Sequence, residues 1–132
     1  MFGKPKKVKA DNLSVGILGE KLARQHLKKQ GYRIIAKNYR TALGEIDIIA
    51  EDDKTLVFIE VKTRRDRSCG HPLEAVTPAK CRQISKVALL YLAENKMENR
   101  EARFDVVAVS LGAGDKPEME IVQNAFELCY GA

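Results

Sequence analysis

The chain has 132 residues, of which 45% are hydrophobic and 31% charged, a length and composition typical of one globular domain with its own core. No apolar run approaches the roughly eighteen residues of a membrane span, and the basic N-terminus lacks the apolar segment of a secretion signal. The formal net charge of +5 favours a polyanionic partner.

The N-terminal segment is predicted to be a flexible basic tail over residues 1–11, followed by a single domain over residues 12–132. A first helix is predicted from Asn12 or Ser14 to Gln30, with Gly31 as its C-cap. Its small residues form a face that permits close approach to a sheet: Gly16, Gly19 and Ala23. Glu20 lies among them, and the pattern leaves open whether it caps a neighbour or points into a site.

Three strands are predicted next, over residues 32–39, 45–50 and 55–62. The polar segment from Asp52 to Thr55 is short enough to close an antiparallel hairpin between the second and third strands. With these four residues as the loop, Asp47 faces Glu60 and Glu45 faces Lys62. A two-residue loop is expected to shift the pairing but to keep the charges on one face.

Charged side chains inside apolar strands are costly unless they are paired or bind an ion. Alternation places Asp47 with Ile49 on one face of its strand and Ile46, Ile48 and Ala50 on the other. Two facing carboxylates suit a hard cation such as Mg²⁺. Lys62 would then lie beside a metal-activated water. The alternative is a solvated cross-strand ion pair.

The segment after the third strand is a basic loop containing Arg64, Arg65 and Arg67, which could reach a phosphate backbone or could be merely solvated. A second helix begins at Thr77-Pro78 and carries an apolar stripe as far as Leu92. Lys80 and Gln83 lie near its first turn, either as phosphate-binding groups or as ordinary surface residues.

Two further strands are predicted, over residues 104–110 and 119–126. The element order α-β-β-β-α-β-β predicts an α/β fold, a mixed central sheet flanked by helices, with a parallel crossover through the second helix. Cys69, Cys81 and Cys129 are odd in number and form no Cys-x-x-Cys pair, which is typical of a reducing cytoplasm. All three are interpreted as packing or incidental residues.

Several segments together resemble the YraN-type proteins, a bacterial group related to Holliday-junction resolvases within the PD-(D/E)xK nuclease superfamily. The matching segments span roughly residues 14–126 and include Gly19-Glu20, Gly44-Glu45-Ile46-Asp47, Phe58-Ile59-Glu60-Val61-Lys62-Thr63-Arg64, Lys80, Arg103-Phe104-Asp105-Val106-Val107 and Asn124-Ala125-Phe126. The resemblance implies a restriction-endonuclease-like core. One departure is Ile46, which stands where the superfamily has proline before its first acid.

By this resemblance, Asp47 and Glu60 are metal ligands for Mg²⁺ or Mn²⁺ and Lys62 is the catalytic lysine. Glu20 is the helix-borne acid of the site, and Gln83 matches a helix glutamine of some relatives. The hypothesis is a cytoplasmic metal-dependent endonuclease acting on structured or damaged nucleic acid, with DNA favoured over RNA and a homodimer possible by analogy. The alternatives are a non-catalytic nucleic-acid-binding module and an interaction protein whose acidic hairpin is only structural.

Overall fold

The computed structural model describes residues 7–65, 70–112 and 116–129. The elements along the chain are α1 (Lys7–Lys29), β1 (Arg33–Thr41), β2 (Gly44–Asp52), β3 (Thr55–Arg64), a 3-10 turn (Pro72–Ala75), α2 (Pro78–Glu94), β4 (Ala102–Ser110) and β5 (Glu118–Phe126). The strands form one sheet in the order β1-β2-β3-β4-β5. Strands β3 and β4 are parallel, and the other neighbours are antiparallel. The predicted α/β architecture and its element order are confirmed.

Helix α1 ends as the sequence predicts. Gly31 has a φ of 98°, and Tyr32 N–H donates to the Leu27 carbonyl at 3.0 Å, which closes a Schellman motif. The helix begins earlier than predicted, at Lys7, because neither glycine nor proline interrupts the chain between Lys7 and Asn12. Within the described ranges, no helix is both long and apolar enough to cross a membrane.

The sheet is the middle of three layers. On one face, Ala23 and Leu27 of α1 pack in a cluster with Ile48, Ala50, Val57, Ile59, Val107 and Val109. On the other face, Ile84, Val87, Ala88 and Tyr91 of α2 pack with Ile46, Ile49, Leu56, Phe58 and Phe104. The prediction that Ile46 shares a face with Ile48 is therefore wrong. Strict alternation fails at this point of β2, so Ile46 and Ile49 lie on the same side.

Helix α1 approaches the sheet at Gly19. A Cβ atom on Gly19 would lie 1.8 Å from Thr63 Oγ1, so the contact requires glycine. Ala23, one turn further along, is fully buried. Gly16 was predicted to belong to the same packing face, but it does not, because a Cβ there would meet no atom within 4 Å. The close approach at Gly19 fixes the next residue, Glu20, beside the end of β3.

A buried polar network joins β4 to the hairpin turn. The Asp105 side chain is fully buried, and its Oδ1 accepts from Arg103 Nε at 2.9 Å. Tyr32 donates to Asp105 Oδ2 at 2.8 Å, and Arg103 also pairs with Asp52 at 2.7 Å. Because the buried carboxylate is paired and hydrogen-bonded, this network stabilises the fold instead of offering a free site.

Candidate metal and nucleic-acid site

The acidic hairpin has the predicted register. Its turn contains only Asp53 and Lys54, and Asp52 and Thr55 form an additional pair without displacing the others. The ladder ends at the pair Ile48–Ile59, one position before Asp47 and Glu60. The two strands therefore separate where the acids begin, and their carboxyl groups lie at the opening.

Asp47 is held in this opening by the backbone of β3. Its Oδ2 accepts a hydrogen bond from Val61 N–H at 2.8 Å, and only 8% of the residue is exposed. Burial raises the pKa of Asp47 above its ordinary value, and the Glu45 charge adds to the rise against the opposing Val61 bond. A carboxylate fixed by a backbone donor is preorganised to keep its other oxygen available.

Glu60 reaches the same point from β3. Its carboxyl group shares a hydrogen bond with Asp47, so the two predicted ligands do converge. Burial and then the Asp47 charge raise the pKa of Glu60 to about 7. At neutral pH and without a metal ion, the pair is protonated in part of the molecules, since two neighbouring carboxylates removed from water cannot both ionise freely.

Lys80 is the counter-ion of this pair. Its Nζ lies 3.5 Å from Glu60 Oε2, and its charge lowers the pKa of Glu60 against the effects of burial and Asp47. The sequence predicts Lys80 as a phosphate-binding residue near the start of α2. The predicted cap is present, since the Lys80 N–H donates to Thr77 Oγ1 at 3.2 Å. The Lys80 ammonium, however, is directed to Glu60 and towards the acid pair.

Glu20 lies above the pair on α1. Burial raises its pKa, and the charges of Asp47 and Glu45 raise it further. Glu45 itself pairs with Arg40 of β1, whose Nε lies 2.8 Å from Glu45 Oε1. The predicted facing of Glu45 and Lys62 is not formed, because the ladder has ended before both residues.

A cavity of about 410 Å³ lies between the N-terminal half of α1 and the end of β3. Glu20, Glu60 and Lys62 all line it, so three of the four predicted catalytic residues face one space. Lys62 is exposed, as is Arg65 at the cavity margin. The cavity thus combines acidic side chains with exposed cationic ones, an arrangement suited to a metal-bound phosphate group.

Arg64 differs from its predicted position in a basic loop. It is the last residue of β3, is only 9% exposed, and donates to Ser110 Oγ at 3.0 Å and to the Gly70 carbonyl at 2.5 Å. Its guanidinium thereby joins the end of β3 to Ser110 of β4 and to Gly70. Arg67 lies outside the described residues, so its predicted role stays a prediction.

Gln83 packs against the start of β2. A Cβ atom on Gly44 would lie 2.7 Å from Gln83 Cγ, and Gly44 has a φ of 142° that favours glycine. The Gln83 side chain therefore lies over Gly44, three residues before Asp47, and its predicted contact with nucleic acid stays a prediction.

The donor set fits a small hard cation. Among residues in the described ranges, no three His, Cys, Asp or Glu side chains are grouped closely enough to hold a metal ion. Mg²⁺ commonly takes only one or two protein carboxylates and completes its shell with water and phosphate oxygens. Asp47 and Glu60 would hold such an ion. Its positive charge would displace the proton of the pair and would compensate the repulsion between the two carboxylates.

Two features of the site have no clear signal in the sequence. The Lys80–Glu60 pair depends on how α2 lies across the sheet, and the Val61 N–H bond depends on the separation of β2 from β3. The Arg40–Glu45 pair could be found, because a short β1–β2 turn places these residues opposite each other.

Comparisons with known proteins identify the family. The model of the "Uncharacterised protein family UPF0102" matches residues 19–109, a range that contains every predicted site residue. A UPF0102 protein of Geotalea uraniireducens is 51% identical over 122 residues, covering 92% of this chain and 96% of the relative. UPF0102 protein GSU0650 of Geobacter sulfurreducens is also 51% identical, over 90% of this chain and 93% of its own length. The chain therefore belongs to the UPF0102 family, the YraN-like group.

Proposed function

We propose that this protein is a divalent-metal-dependent endonuclease that hydrolyses phosphodiester bonds in structured or damaged nucleic acid, with DNA preferred over RNA. The single observation that carries the proposal is the convergence of the carboxyl groups of Asp47 and Glu60, each of whose pKa values is raised by burial, beside a cavity that Lys62 and Arg65 also line. A fold gains nothing from such a pair unless a ligand or a counter-charge compensates it.

Mg²⁺ or Mn²⁺ bound there would supply a polarised phosphoryl group and a water of lowered pKa. Asp47 and Glu60 would hold the ion, and the bond from Val61 N–H keeps Asp47 in a fixed orientation. Lys62, on the solvent side of the cavity, orients the attacking water and stabilises charge that develops on the phosphate. Glu20 contributes from α1 by orienting a water or the ion at the opposite wall.

The substrate follows from charge and from resemblance. Arg65 and Lys62 line the open side of the cavity, where they would contact phosphates beside the cleaved bond. The resemblance to resolvases of the PD-(D/E)xK superfamily supports a restriction-endonuclease-like core and branched DNA as the first substrate class to test. A homodimer is proposed on the same analogy, because cutting two strands requires two sites.

A non-catalytic nucleic-acid-binding module is the second candidate. The observation that favours it is the Lys80 ammonium at 3.5 Å from Glu60, which already gives the acid pair one positive charge without a metal. In that case the basic residues would bind nucleic acid while the acids served only the fold. Binding that persists in chelator and in Asp47→Ala, with no cleavage of any junction, flap or single strand, would support this candidate.

The test of the proposed function is a cleavage screen with Mg²⁺ and with Mn²⁺. The substrates are branched, nicked and single-stranded DNA and RNA, and the variant is Lys62→Ala. Lys54→Ala is the matched control, since Lys54 is exposed in the hairpin turn and carries the same charge. Cleavage should be lost in Lys62→Ala and kept in Lys54→Ala. Equal cleavage by the wild type and Lys62→Ala would refute the assignment of this site.

A further inference from the structure

Two of the three cysteines lie near each other although they are distant in the sequence. Cys81 is in the first turn of α2, and Cys129 follows β5 near the end of the described chain. Both are half-buried and neither is in a disulfide. The Cys129 thiol is near enough to the Cys81 thiol to raise its pKa. The spacing of these two residues does not predict their proximity, because it depends on how the C-terminal segment returns to α2.

The backbone holds this contact from two directions. Cys129 N–H donates to Ser85 Oγ at 2.9 Å, and Ser85 is a buried residue of α2 one turn after Cys81. Cys81 Sγ lies 3.9 Å from the carbonyl oxygen of Glu127, two residues before Cys129. These two contacts hold the segment after β5 against the first turn of α2, which brings the two cysteines close to each other.

We propose that Cys81 and Cys129 are a modification site that forms an intramolecular disulfide when a peroxide is the oxidant. Two thiols and one molecule of hydrogen peroxide give one disulfide and two molecules of water. The peroxide oxygen–oxygen bond is reduced by two electrons, and the two sulfur atoms are oxidised by the same number.

The reaction has two steps. In the first, the thiolate of one cysteine attacks peroxide, forms a sulfenic acid and releases hydroxide. In the second, the sulfur of the other cysteine attacks the sulfenic sulfur, its proton leaves with the sulfenic hydroxyl group as water, and the disulfide closes. Burial and the neighbouring Cys129 raise the pKa of the Cys81 thiol to about 11, which slows the first step at neutral pH when Cys81 is the attacking thiol.

The bond would join the segment after β5 to the first turn of α2. Lys80, which contacts Glu60, is the residue before Cys81, so the bond would fix the turn that carries the counter-ion of the acid pair. The closed loop runs from α2 through β4 and β5. Closing a loop of this length should raise the thermal unfolding midpoint by on the order of 10 °C.

The experiment uses the full chain with Cys69→Ser, so that only the two proposed cysteines remain. After treatment with equimolar hydrogen peroxide, the intact mass should fall by two hydrogen atoms, the free thiols should disappear, and the protein should stay a single chain on a non-reducing gel. The unfolding midpoint should rise, and dithiothreitol should reverse every change. With either Cys81→Ser or Cys129→Ser added, the decrease in mass and the rise of the unfolding midpoint should both be lost.

Three results would overturn the proposal. They are cross-linking of separate chains in place of the mass decrease, addition of oxygen to either cysteine without loss of both thiols, and retention of both free thiols with an unchanged mass. The intact-mass and thiol measurements need no change at Cys81 or Cys129, so they decide the question even if those variants fail to fold.

Discussion

Replacing Glu60 with glutamine should change how stability depends on pH. The pKa of Glu60 rises from 4.5 to about 7 on folding. Between these values the folded state binds more protons than the unfolded state, so the free energy of unfolding falls as pH rises. One pKa unit is about 1.4 kcal/mol, so the contribution of Glu60 to the free energy of unfolding is about 3 kcal/mol. This contribution is fully present below the unfolded pKa and is lost above about pH 7.

The assay is urea unfolding in chelator at several pH values from about 5 to about 8. Glu60→Gln removes the titrating group, so at the upper end it should be more stable than the wild type. That advantage should shrink by about 2 to 3 kcal/mol towards the lower end. Arg100 and Arg33 lower the pKa of Glu51. The contribution of Glu51 to the free energy of unfolding therefore changes only at pH values below its ordinary pKa, which lie below the measured range.

Glu98→Gln is the matched control, because Glu98 is exposed in the turn after α2 and the charge change is the same. Its stability should follow that of the wild type at every pH. If Glu60→Gln also runs parallel to the wild type, the carboxyl pair does not share a proton and the reasoning about the site fails.

The remaining predictions concern packing, the counter-ion and the buried network. Gly19→Ala should destabilise the fold by about 1 to 3 kcal/mol in urea unfolding, whereas Gly16→Ala should be neutral or stabilising; equal effects would contradict the close approach of α1 to β3. Lys80→Met should tighten Mg²⁺ binding about tenfold in a calorimetric titration, because it removes a competing positive charge. Lys86→Met is the control and should leave the affinity unchanged; an unchanged affinity in Lys80→Met as well would contradict the role of Lys80. Asp105→Asn should lower the free energy of unfolding by about 3 to 5 kcal/mol, and a change below 1 kcal/mol would show that the network is not a buried ion pair.

Much of the fold could be predicted because its signals are local. Gly31 ends α1, Thr77 caps α2, and the hairpin register follows from a polar turn between two apolar runs. The convergence of Asp47 and Glu60 follows from the same register. The helix end, the helix cap and the hairpin register each depend on residues that are close in sequence, so local backbone geometry determines them.

The remaining parts of the site depend on contacts between elements. Period-two reasoning misplaced Ile46, which packs with α2 and Ile49 and not with Ile48. The phosphate-binding role of Lys80 stays a prediction, but its contact with Glu60 depends on the position of α2 across the sheet. Arg64 was predicted in a loop, but β3 extends far enough to bury it against Ser110. Such contacts cannot be predicted from the spacing of residues in one segment.

Anomalous diffraction from crystals soaked in Mn²⁺ tests the central claim most directly, since it locates the ion without relying on activity. We expect one strong peak in direct coordination with an oxygen of Asp47 and an oxygen of Glu60, which is absent in Glu60→Gln and kept in Glu98→Gln. No peak at these carboxylates under saturating Mn²⁺, or the same peak in Glu60→Gln, would contradict the account.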